Sequence, residues 1–385
     1  MFLGIAASLF AGVMLGTYAL PGKFTRDFRE ENKWSLFFVL TTFVVPLVAT
    51  FGLMNNVGDV FATIDGKTLS TMVVASFLWG TGVMMWGKAI DHIGVSLGFS
   101  LFIGTVILVG SVLPLGIAAL NGESLPPTPT LAMILGGILI VLFGVVANGK
   151  AGLVREADEV VAEQRGDEDE SSESPPSHQN APAESRRSYT TGVSIAVVGG
   201  LLATGFSVAN AVGGKPLGDA VVAQGNPPWM TALAVMLPVF LSGGVVMTAY
   251  FGIQLSREKA WQNFATPSLP RNMALIFVMA FFHYAASAVF AYASYVLGES
   301  GPVVGYAIFN TACLVVAAVS GLVTGEWSDA SAAAKKWLFV GMACMVGGVF
   351  VLAGAQALTQ SDAGKSTGEE TVAIASVSSV EAAST

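Results

Sequence analysis

Ten stretches of about twenty or more residues pass without a single Asp, Glu, Lys or Arg: roughly 1–22, 34–58, 68–87, 93–120, 130–149, 191–214, 229–253, 272–298, 301–323 and 337–358. A helix needs about 20 residues to cross about 30 Å of hydrocarbon. Membrane-crossing β-strands are about ten residues long and alternate in polarity, which these uniformly apolar runs do not. The expected fold is therefore an all-α membrane protein with ten transmembrane helices. Composition agrees: only 11% of residues are charged, against about 25% in soluble domains. That excludes an ordinary soluble enzyme, a nucleic-acid binder or a disordered chain. The net charge of −8 is no binding surface, since ten of the 26 acidic residues fall within 149–190. Cys313 and Cys344 sit in separate apolar stretches and are expected as small buried residues, without disulfide or metal motif.

The first run carries no positive charge ahead of its apolar core, and Lys23, Arg26, Arg29 and Lys33 follow it. It reads as a first span and not as a cleavable signal. With the N-terminus outside, fifteen of the 18 Lys and Arg lie in inside loops and only Lys67, Lys215 and Lys365 lie outside. The positive-inside rule then predicts N-out and C-out.

Residues 151–190 are polar, acidic and rich in Ser and Pro. They read as a disordered cytoplasmic linker, and 359–385 as a disordered tail. The linker separates two five-helix units, 1–150 and 191–358. Gly12–Lys23 (GVMLGTYALPGK) parallels Thr204–Lys215 (TGFSVANAVGGK). Asn121-Gly122-Glu123 parallels Thr324-Gly325-Glu326, and a Gly-rich fifth helix follows each. Repeats with an odd number of spans have opposite orientations, as in secondary transporters, whose substrate sites lie between the halves.

This arrangement resembles the drug/metabolite transporter superfamily, and within it the L-rhamnose–proton symporter family. The resemblance is carried by Trp79-Gly80 with Gly82, Gly87, Ile93-Gly94-Val95-Ser96-Leu97-Gly98, Phe206-Ser207, Asn210-Ala211, Lys215-Pro216, Gly321-Leu322-Val323 and Glu326-Trp327. It implies a multi-pass protein of the inner (plasma) membrane. Such a protein would import a small neutral sugar such as L-rhamnose with a proton, by alternating access. An exporter or exchanger of the same fold, or a non-transporting membrane sensor, is the alternative.

His283 is the only titratable group near the middle of any run. An ordinary pKa of about 6.5 suits it to proton coupling, or it is a neutral histidine bonded to a neighbouring helix. Tyr18, Trp79, Trp86, Asn210, Tyr284, Tyr292, Tyr306 and Asn310 form the candidate substrate-binding set. Aromatic faces cover sugar C–H surface and amides fix hydroxyls, although any one of them can instead be an anchor or packing residue. The resemblance places them on cavity-lining helices. Lys23 and Lys215 are gate or helix-end charges. Lys88 and Asp91 are expected to pair, and Glu123 and Glu326 to cap helix ends. Span centres hold no Arg, Asp or Glu, which argues against a phosphate or strongly ionic substrate. No HExxH, GxSxG or Asp-rich motif occurs, so neither an enzyme, a metal nor a cofactor is expected. The expected partners are the sugar, the proton and the lipid bilayer, with no nucleic acid.

Overall fold

A chain segment in hydrocarbon must satisfy its own backbone hydrogen bonds, and a helix does so locally. The computed structural model describes residues 2–120, 122, 125–168, 181–298 and 301–382, without the side chains of 95–96, 159–188 and 359–382. Residues 169–180 of the expected linker, 383–385 of the expected tail, and Glu123 thus lie outside the described residues; the rest of the tail follows a helical course, within Ala332–Ala382. Among the described residues, ten helical segments are long and apolar enough to cross a membrane, as expected. In chain order the spans are Phe2–Phe24, Glu30–Leu53, Gly66–Ile93, Leu97–Leu120, Thr128–Asp158, Tyr189–Ala223, Pro228–Arg257, Leu269–Leu297, Gly301–Val323 and Ala332–Leu358, here called spans 1 to 10. Among the described residues there is no strand. The helix holding span 5 runs through Thr128–Glu168, well past the expected end at residue 149.

Span 1 ends in a 3₁₀ turn, Leu20–Phe24, and span 7 opens with one, Pro228–Met230; three other spans depart from a regular α-helix. Span 2 widens to a π-helix at Leu40–Val44. Pro46 supplies no N–H to the carbonyl four residues back, and the Thr42 hydroxyl donates to Phe38 O at 2.6 Å. The ladder loosens there, and the Val45 N–H reaches back to Leu40 O. A second π-turn, Gly301–Gly305, opens span 9. Span 6 breaks at Thr204 into Ala181–Ala203 and Gly205–Ala223.

Lipid tails are as apolar as leucine, so small residues and close contact hold membrane helices together. Span 1 packs on spans 8 and 9, span 6 on spans 3 and 4, span 3 also on span 7, and span 5 along span 10. Span 3 and the second piece of span 6 approach so closely that a Cβ on Gly205 would lie 2.0 Å from the Ala75 carbonyl oxygen. Large apolar side chains such as Val48, Phe143 and Phe350 are exposed on the outer surface, where a bilayer would cover them. The main core cluster joins spans 1 to 4 and 6 to 9 around Phe37, Trp79, Phe206, Phe240 and Phe290.

Candidate functional site

The π-turn of span 2 aims Thr41 across the bundle instead of back along its own helix. Its hydroxyl lies 3.1 Å from Ala280 O and 3.0 Å from His283 Nδ1, both on span 8. The His283 ring is flanked by Tyr18 at 5.0 Å, Phe37 at 5.3 Å and Phe240 at 5.6 Å between centroids. Spans 1, 2, 7 and 8 thus converge on one imidazole. Tyr18 and His283 are only half-buried, although both face the bundle interior.

From Phe240 a line of rings continues through the centre. Tyr284 meets Phe240 at 5.2 Å, Trp79 meets Phe240 at 5.5 Å and Phe206 at 5.4 Å, and Tyr306 stacks on Phe206 at 6.3 Å. Phe290 packs on Tyr306 at 5.7 Å. Asn210 and Asn310 hang from the same stretch. Their amides donate back to Phe206 O and Tyr306 O, each at 2.9 Å. The Tyr284 and Thr50 hydroxyls are both buried and near each other, with no further hydrogen-bond partner among the described residues.

Burial along this line is uneven. On span 7 every residue from Thr231 to Phe240 is buried, whereas Leu241–Ile253 alternates between buried and accessible. Span 9 likewise packs tightly from Val303 to Ala312 and loosens after it. Along spans 7 and 9, packing is tighter on the Pro228 side of the ring line than on the Arg257 side.

Seven of the nine expected sugar- and proton-site residues therefore lie on one continuous network: Tyr18, Trp79, Asn210, His283, Tyr284, Tyr306 and Asn310. Two do not join it. Trp86 packs against Phe99 and Phe102 of span 4 at 5.6 Å and 5.9 Å. Tyr292 is half-buried against the core without a ring partner among the described contacts. Thr41, Phe37, Phe206, Phe240 and Phe290 were not singled out from the sequence. For Thr41 the usable signal was two threonines followed by Pro46 within a span. A cavity of about 480 Å³ lies elsewhere, between spans 3, 4 and 6. It is lined by Val74, Ala75, Leu78, Leu113, Leu201 and Gly205, and none of the expected site residues reaches it.

The lysines separate. Lys23 forms an ion pair with Glu326 just beyond span 9. Thr324 adds a hydroxyl at 3.2 Å, and Arg155 stands over the Trp327 ring at 5.0 Å. The Lys23 hydrogen bond holds the Glu326 carboxyl below the usual carboxylate range. Lys215 is exposed and joins no ion pair among the described residues. The expected Lys88–Asp91 pair is not formed: Lys88 extends over the Tyr250 ring, 6.0 Å from its centroid. A flexible ammonium on a long stem is drawn to an aromatic face on span 7.

Comparison with known proteins gives a consistent picture. Residues 1–166 match the family model described as L-rhamnose-proton symport protein (RhaT). An L-rhamnose-proton symporter of Klebsiella pneumoniae subsp. pneumoniae is 24% identical over 347 residues, covering 85% of this chain and 90% of that one. One from Escherichia coli O8 is 23% identical with the same coverage. These matches bear out the resemblance to the L-rhamnose–proton symporter family, a family of transporters and not of enzymes. With ten membrane-length helices, the chain is a multi-pass membrane protein.

Proposed function

We propose that the chain imports a small neutral sugar, L-rhamnose or a close relative, together with a proton across the inner membrane. The observation that carries this reading is the His283–Thr41 contact enclosed by Tyr18, Phe37 and Phe240 in mid-bundle. A carbonyl oxygen can only accept, so the Thr41 hydroxyl gives its proton to Ala280 O. The same oxygen then accepts from His283 Nδ1–H. That tautomer leaves Nε2 with a free lone pair. Nε2 takes up a proton without disturbing the Thr41 bond, and the positive imidazolium is faced by the Tyr18 and Phe240 rings. The adjoining rings offer flat apolar faces to sugar C–H surface, and the Asn210 and Asn310 amides and the Tyr284 hydroxyl offer hydrogen bonds to its hydroxyls.

Alternating access follows from two five-span repeats of opposite orientation, with both termini outside. The packing pattern supports this. Renaming spans 1–5 as 6–10 and the reverse carries the contact of span 1 with span 8 onto that of span 6 with span 3. It also carries span 1 with span 9 onto span 6 with span 4, and leaves the 2–7 and 5–10 pairs in place.

The test is uptake of labelled L-rhamnose into proteoliposomes under an inward proton gradient. Gradient-driven accumulation is expected, and its loss in His283→Gln with sugar counterflow retained. Unchanged accumulation in that variant removes His283 from coupling. Counterflow without accumulation in the unaltered protein makes it an exchanger, and no flux of any sugar overturns the transport reading.

A further inference from the structure

We infer that spans 2 and 7 are fastened to each other at both ends, and to the first turn of span 8 at one of them, and travel through the transport cycle as one rigid unit, the other spans moving against it. This rests on the transport reading above.

Span 2 lies between Arg26 and Asn55; Asn226 stands just ahead of span 7, and Asn272 lies in the first turn of span 8, past the loop that leaves span 7. At one end the Arg26 N–H donates to Asn272 Oδ1 at 3.1 Å, and Asn272 Nδ2 donates to Arg26 O at 2.7 Å. At the other end the Asn55 N–H donates to Asn226 Oδ1 at 2.8 Å, and Asn226 Nδ2 donates to Asn55 O at 2.9 Å. Each carboxamide grips both polar groups of one residue's backbone, as a neighbouring strand would. Only a side-chain amide both donates and accepts in this way. Asn272 and Asn226 are 0% and 3% exposed, so letting go would strand buried polar groups on both partners.

The backbone is bent to serve these grips. Among the described residues, the non-glycine positions with positive φ are Asp27 (59°), Asn56 (53°) and Lys259 (52°). Asp27 directly follows the gripped Arg26, and Asn56 directly follows the gripped Asn55. Lys259 directly precedes Ala260, whose carbonyl accepts from the fully buried Asn32 at the foot of span 2 at 2.8 Å. Left-handed non-glycine residues are uncommon and persist where surroundings over-determine them. Here all three sit where span 2 meets span 7 or the loop from span 7 into span 8. The Arg26 end is reinforced further: Asp27 accepts from Ser268 at 2.6 Å and Thr266 at 3.0 Å. Gates of an alternating-access carrier would be made in turn. The Asn55–Asn226 grip and the Asn32–Ala260 bond are made together, at opposite ends of spans 2 and 7, which is the signature of a frame.

The experiment replaces Cys313 and Cys344 with Ala, then introduces Asn55→Cys with Asn226→Cys, and in a second protein Asn32→Cys with Ala260→Cys. The expected result is that oxidative cross-linking of either pair leaves proton-driven sugar uptake undiminished. Uptake that stops on oxidation and returns on reduction overturns the frame. A companion measurement keeps both grips and needs no substrate: spin labels on the exposed pairs Arg29/Gln262 and Asp59/Trp229, read at acidic and neutral pH. A single unchanged distance at each end supports the frame, and two distances at either end overturn it. Absence of uptake in the reduced proteins, beside a single spin-label distance, counts against the transport reading alone.

Discussion

Replacing Gly205 with Ala sets two opposed effects against each other. Alanine inside a helix is favoured over glycine by about 0.5–1 kcal/mol. The new methyl, however, would lie 2.0 Å from Ala75 O, 2.9 Å from Ala75 C and 3.3 Å from Trp79 N. All three are backbone atoms, so no side chain can turn aside. Moving from 2.0 Å to the 3.4 Å of ordinary contact separates spans 3 and 6 by roughly 1.4 Å. That loosens the Trp79–Phe206 contact, whose rings stand 5.4 Å apart. Overpacking of this kind costs about 1–3 kcal/mol and outweighs the gain. Gly116→Ala is the control, because a Cβ there has nothing within 4 Å and only the favourable propensity is left. Thermal unfolding of the purified protein in detergent should show Gly205→Ala melting below the parent and Gly116→Ala at or above it. A Gly205→Ala protein that melts with or above the parent refutes the close-contact argument.

Thr41→Val keeps the shape and strands His283 Nδ1; a loss of about 1–3 kcal/mol in stability is expected, with proton-driven uptake falling more than counterflow, whereas Thr41→Ser keeps both. Glu326→Gln removes the ion pair to Lys23, whose side chains are 46% and 48% exposed, so the effect is about 0.2–1 kcal/mol and fades with salt. Its pH dependence has a fixed sign. The folded carboxyl titrates below its unfolded value, so the stabilisation is full above the ordinary carboxylate pKa of about 4.3 and is lost as pH falls through the lowered folded value; parent and variant melting curves converge in acid. Asp65 caps span 3 by accepting from the Thr68 N–H at 2.9 Å, which lowers its carboxyl pKa; Asp65→Ala should speed amide hydrogen exchange in the first turn after Asp65 at neutral pH, and the difference should shrink on acidification.

The number of spans was legible because hydrocarbon tolerates no charge and demands a minimum length, so each crossing leaves an uninterrupted apolar run. Breaks inside the crossings were not. The π-turns at Leu40–Val44 and Gly301–Gly305 and the break at Thr204 depend on a proline, small residues and the neighbours they meet. Lys88 shows the same limit: helical spacing put Asp91 within reach, but Tyr250 of span 7 lies close in space and far in sequence. At the candidate site His283 stood out as a titratable group in mid-span. Its partner Thr41 did not, because a helical threonine ordinarily bonds its own preceding turn, as Thr42 does. Phe240 and Phe206 are two of 24 phenylalanines, and nothing local marks the ones that line up.

Trp79 is the one buried tryptophan among the described residues; Trp229 and Trp261 are exposed, and Trp34, Trp86, Trp327 and Trp337 are partly so. Its indole wedges between Gly243 and Phe240 of one helix and Phe206 of another. A variant retaining this indole alone would therefore carry a built-in optical gauge. Any shift of spans 3, 6 and 7 relative to one another would change its emission colour and intensity, so occupancy could be followed in real time without attaching a dye.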